Sequence, residues 1–93
     1  MSTAFSIVVC AMSQKGLCVV RQVYEQAPDL LSRVISARDT QVENDFFDEL
    51  SLFCDSHNVK LEHRAQASPI VEKYVIAVSW RWILDCKSAE LIV

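Results

Sequence analysis

The sequence predicts an α/β domain, a mostly parallel sheet with flanking helices. Three observations carry this. Phe5–Ala11 and Tyr74–Val78 are nearly continuous apolar, β-branched runs, the pattern of strands buried on both faces. Segments between the strand-like runs repeat their apolar residues at helical spacing. Strands separated by single helices and short loops pair in parallel through right-handed crossovers. With 93 residues, the chain has room for one core and not two.

The elements follow in order. After the strand Phe5–Ala11, Ser13-Gln14-Lys15-Gly16 reads as a polar turn in which Ser13 caps the next helix. Leu17, Val20, Val23, Tyr24 and Ala27 share one helical face, and Pro28 stops that helix. Leu30–Ala37 reads as a second strand centred on Val34 and Ile35, and Arg38–Asn44 as a polar loop. Asn44 or Asp45 caps a second helix, Asp45–His57. Asp45, Asp48 and Glu49 lie in its first turn, where the helix dipole favours negative charge. Phe46, Leu50, Phe53 and Cys54 form its stripe, with Leu50 and Phe53 expected to face the sheet, and Asn58 suits a left-handed position past its end. Val59–His63 alternates as a short half-exposed strand, Arg64–Ser68 is a loop closed by Pro69, and Tyr74–Val78 is the strongest strand. Ser79–Leu84 reads as a turn or short helix, and Leu91–Val93 as the start of a further strand. The topology implied is Rossmann-like, with Phe5–Ala11 and Tyr74–Val78 central.

Composition narrows the function classes. Apolar residues are 52% and charged residues 23%, which is globular and not disordered. The net charge of -3 offers no basic face, so nucleic acid is not an expected partner. The single glycine, Gly16, excludes a full GxGxxG or Walker A cradle. Cys10, Cys18, Cys54 and Cys86 are spaced unlike any zinc motif and read as reduced, mostly buried thiols. The start lacks secretory character, and the longest apolar run, Ile7–Met12, is far too short for a membrane helix. A cytoplasmic location with no membrane partner is expected. The high apolar fraction implies a rich core, or apolar surface that lies against something outside this chain.

Few residues suggest chemistry. His57 at a helix end and His63 at a strand end read as solvated histidines, with no Ser or Cys placed beside them by sequence. The carboxylates Asp45, Asp48 and Glu49 are accounted for by capping. Ser79-Trp80-Arg81-Trp82-Ile83-Leu84 stands out, because it follows the strongest strand at its carboxyl end, where open parallel sheets bind ligands. Its indoles and guanidinium either form a stacking surface or cover the sheet as core.

Three segments together resemble a family. Ser13-Gln14-Lys15-Gly16-Leu17, Ala37-Arg38-Asp39-Thr40-Gln41-Val42-Glu43-Asn44-Asp45-Phe46 and Ala77-Val78-Ser79-Trp80-Arg81-Trp82-Ile83-Leu84 resemble the amino-terminal part of formyltransferases, the relatives of methionyl-tRNA formyltransferase and the sugar N-formyltransferases. The resemblance spans nearly the whole chain, so residues 1–93 would be one formyltransferase-like, incomplete domain. It implies 10-formyltetrahydrofolate as cofactor and an amine acceptor, either an aminoacyl-tRNA or an amino sugar. Ser79, Trp80, Arg81, Trp82, Ile83 and Leu84 would border the pterin, and Ser13, Gln14, Lys15 and Gly16 the substrate side. The family's chemistry needs an Asn, a His and an Asp, and the His sits in a His-Asp-Ser-Leu-Leu-Pro-like stretch just after the fifth strand, which is expected to begin where the sequence stops at Val93. The resemblance therefore implies no catalytic residue in this chain, weak or no cofactor binding by it alone, and an exposed sheet edge open to self-association.

A competing resemblance is to the BRCT interaction module, on the spacing of Trp82 and Cys86 in a final helix. That module needs two successive strands after its first helix, whereas here a polar loop and a helix follow Leu30–Ala37.

Overall fold

The computed structural model describes residues 6–38, 44–80 and 90–92. The elements are β1 (Ile7–Ala11), α1 (Ser13–Gln26), β2 (Leu31–Ser36), α2 (Phe47–Ser56), β3 (Leu61–His63), β4 (Tyr74–Val78) and β5 (Glu90–Ile92). They form one five-stranded sheet in the order β3-β2-β1-β4-β5, with every neighbouring pair parallel. The α/β, Rossmann-like expectation holds, with β1 at the centre and β4 beside it. α2 stands between β2 and β3, which is not the order of the interaction module.

β1 has no exposed face. Val9 and Ala11 belong to the core beneath the helices, with Val20 of α1, Leu31 and Val34 of β2, and Leu50 and Cys54 of α2. Val8 and Cys10 point the other way and pack with Ile35 and Val75. Val8 to Ala11, four of the five β1 residues, are fully buried, which is why this strand shows no polar alternation. The two helices share one face because β1→β2 and β2→β3 step in the same direction. The β3→β4 connection steps back past β1, and its Ala67 and Ile70 cover the opposite face. A right-handed crossover requires that change of face.

Local chemistry explains the element ends. Ala27 is the C-cap of α1, and Pro28 follows it. α2 closes in a Schellman motif. Asn58 is left-handed at φ 57°, Val59 N–H donates to the Cys54 carbonyl at 2.8 Å, and Asn58 N–H reaches that of Asp55 at 3.5 Å. At its start, the Asn44 and Asp45 carboxyl or amide oxygens accept from the N–H groups of Phe46 and Phe47, each at 2.9 Å. Phe46 is itself the left-handed N-cap residue, so it opens the helix and does not extend its stripe. Leu50 is fully buried as expected, whereas Phe53 packs at the core's rim, stacked on His57 with ring centroids 4.2 Å apart and edge-on to Tyr24.

Ser13 does not cap α1. Its N-cap is Met12, with no side-chain cap bond, and Ser13 is the helix's first residue with a left-handed φ of 69°. Its hydroxyl is directed at another strand's loop.

One polar cluster was not legible in the sequence. Arg33, in the middle of β2, is buried on the face opposite the helices. It donates to Glu72 through Nε at 2.8 Å and Nη2 at 3.1 Å, and to Glu62 through Nη1. It also reaches the carbonyls of Ser68 and Pro69 and the Ser68 hydroxyl. Burial alone would raise the Glu72 carboxyl, but the hydrogen bonds from Arg33 and Ser32 outweigh it and pull Glu72 down to about 2.

Candidate functional site

The strand order reverses between β1 and β4, so their carboxyl ends flank the switch point where open α/β sheets place ligands. β1 runs into Met12 and Ser13, and β4 into Ser79 and Trp80. Ser13 and Ser79 are both left-handed, at φ 69° and 54°. This backbone shape costs a non-glycine residue about 1 kcal/mol. The two are tied together, with Ser13 Oγ donating to Ser79 Oγ at 3.1 Å. Met12 N–H donates to the Val78 carbonyl at 3.3 Å, and Ser13 N–H to that of Asp45 at 3.1 Å. The loops after β1, β2 and β4 therefore meet around Ser13.

Gly16 explains how α1 reaches this edge. A Cβ added there would lie 2.9 Å from Ala11 Cβ and 3.2 Å from its carbonyl carbon. Only glycine lets the first turn of α1 sit this close to the end of β1. That is the role of the third glycine in the G-x-G-x-x-G turn, and Ala11-Met12-Ser13-Gln14-Lys15-Gly16 has that spacing. Ser13 takes the middle glycine's place and carries a positive φ. The single-glycine composition hid this, although the spacing was there to be read. Ser36 supports the same turn from β2, its buried hydroxyl donating to the Ala11 carbonyl at 2.7 Å.

Of the sequence-predicted site residues, Ser13, Gly16 and Ser79 come together at the switch point. Gln14 and Lys15 are exposed on the first turn of α1 beside them. Trp80 is half-buried against the Val8, Cys10, Ile35 and Val75 cluster. Arg81, Trp82, Ile83 and Leu84 lie outside the described residues.

A second group sits on the same edge, past β2 and β3. The Arg38 guanidinium lies 4.5 Å over the Phe47 ring and pairs with Asp48, and the His63 ring is 5.9 Å from Phe47. The His63 Nδ1 accepts from the Ala65 N–H at 3.1 Å, which leaves the ring's proton on Nε2 in the neutral form. His57 lies on the other side of the molecule, with Nδ1 against the Phe53 carbonyl at 2.8 Å. It borders an open groove of about 400 Å³ with Cys18, Arg21, Gln22, Glu25 and Phe53, which shares no residue with the switch point. The thiols divide as Cys10 and Cys54 buried and Cys18 exposed, with Cys86 outside the described residues. Burial pushes Cys54 up to about 11, so it is no nucleophile at neutral pH.

Among the described residues, no group of acidic, His and Cys side chains is placed to hold a metal ion, and no helix is long and apolar enough to cross a membrane. Comparison with known proteins finds no matching family model, curated protein or solved structure.

Proposed function

We propose that this chain is a formyltransferase-like domain that binds a reduced folate of the 10-formyltetrahydrofolate type at the β1–β4 switch point. The pterin lies along Ser79–Leu84, and the amine acceptor approaches from Ser13–Gly16. The observation that supports this reading most is the Ser13–Ser79 hydrogen bond, with the Ser13 N–H bound to Asp45. The loops of the three segments on which the resemblance rests meet at that point, although the two serines are 66 positions apart in sequence.

The chain's own contribution is recognition. The bend at Ser79 presents backbone amides and carbonyls to the polar edge of a pterin, and the half-buried Trp80 beside it supplies apolar surface, the usual mix of a small-molecule pocket. No His-Asp-Ser-Leu-Leu-Pro-like segment occurs in these 93 residues. Formyl transfer by them alone would lack general acid–base help, about 10²–10⁴-fold for one such group. The proposal for the 93 residues is binding without turnover, with weak affinity, because one wall of a cleft leaves much of the ligand in water.

Titration with a non-transferable 10-formyl folate analogue, followed by the fluorescence of Trp80 and Trp82, tests this. A saturable change with no formyl transfer to an amino sugar or aminoacyl-tRNA is the expected result. Absence of any saturable change, or turnover by the purified chain, contradicts the proposal.

A further inference from the structure

The connection from β3 to β4 is unusual for its position. It crosses a sheet face as residues 64–73 with no helix or strand. Towards its ends it is tied to the sheet by backbone bonds, Arg64 N–H to the Ser36 carbonyl, Gln66 N–H to that of His63, and Tyr74 N–H to that of Ser6. Between them, Ala67 and Ile70 touch the cluster of Val8, Cys10, Ile35 and Val75, and Val71 is 84% exposed. Apolar contact from two modest side chains is little to hold such a length of chain. The central fixing is polar, through Arg33 to Ser68, Pro69 and Glu72.

We propose that residues 64–73 form a strap, latched to the sheet by the Arg33–Glu72 pair, which opens as a unit while the helical layer stays folded. Three features carry this. The latch is concentrated in one buried side chain, so it makes and breaks together. The surface beneath is a small cluster, separate from the larger core under α1 and α2. Segments with few apolar contacts and no internal ladder are the ones that open below the global unfolding free energy. The charged groups facing Arg33 are Glu72 from the strap and Glu62 from β3, and Lys60 pairs with the other Glu62 oxygen at 3.2 Å. Trp80 rests on the same cluster, so strap opening removes neighbours from Trp80 as well. The proposal does not rest on the folate reading.

Cys10 is fully buried under the strap and Cys54 is buried under the helices, so the chain carries its own pair of reporters. The test is alkylation of the intact chain by a small maleimide at constant neutral pH over a denaturant series, resolved by peptide mass and scaled to the unfolded chain. Cys10 is expected to label faster than Cys54, with a shallower denaturant dependence. Glu72→Gln should raise the Cys10 rate at least about tenfold and keep that dependence shallow, since breaking a buried pair is strongly unfavourable. Should Glu72→Gln fail to fold, Ser32→Ala removes one of the hydrogen bonds to Glu72 and is expected to move Cys10 the same way by less. Equal rates and equal slopes for the two thiols in the unsubstituted chain overturn the proposal. So does a Cys10 rate unchanged in a folded variant.

Discussion

At the residue scale, two side-chain positions set the geometry. Gly16 lies within helix α1, where alanine would normally be preferred by about 1 kcal/mol. The steric cost opposes this, because the new methyl would meet Ala11 Cβ at 2.9 Å and the Ala11 backbone behind it at 3.2 and 3.3 Å. Gly16→Ala is therefore expected to destabilise the fold by about 1–2 kcal/mol in chemical denaturation, and a gain in stability would refute the close-packing account. Glu72 makes the second prediction. Its folded value, about 2, lies below the ordinary 4.5, so its contribution is fully present above pH 4.5 and is lost as pH falls toward 2. The effect is on the order of 3 kcal/mol. Acid titration of stability should show a loss across that window that Glu72→Gln lacks, and parallel curves for the two proteins would contradict it. No local pattern in the sequence points to this cluster. Arg33 sits in an otherwise apolar strand, and its principal partner is 39 positions away, with only tertiary structure to bring them together.

At the element scale, the helices and strands were legible wherever one local rule decided them. β1 betrays its burial by carrying no polar residue, and Asn58 its left-handed turn by being asparagine at a helix end. The start of α1 was misread because Ser13 is a good capping residue by type, whereas here tertiary contact with Ser79 determines its hydroxyl's direction. The helix α2 offers a direct check of which face is inward. Leu50 is fully buried and Leu52 is 70% exposed, so Leu50→Ala should cost about 3 kcal/mol and Leu52→Ala under about 0.5 kcal/mol. Phe53→Ala should fall between them, since its ring lies at the core's rim against Tyr24 and His57. Denaturation midpoints in the reverse order would mean the helix is rotated from this arrangement.

At the scale of the whole molecule, the strand order β3-β2-β1-β4-β5 matters most, because it creates the switch point and puts the strap and the helices on opposite faces. Alternation of strand and helix in the sequence predicts parallel pairing. It leaves open which strand sits beside β1 after the chain reverses, and apolar continuity in Tyr74–Val78 is the local signature that places β4 there. The site was legible as two separate loops, and their meeting at Ser13 and Ser79 was not, since no local pattern spans that separation. The most direct test of the central claim, that ligand binds where β1 and β4 diverge, is an amide chemical-shift titration with a non-transferable 10-formyl folate analogue. The account predicts shifts concentrated at Met12–Gly16 and Ser79–Trp80, with little change along the groove lined by Arg21, Glu25 and His57. Shifts confined to that groove or to Pro28–Leu31, with Met12–Gly16 and Ser79 unmoved, would contradict it.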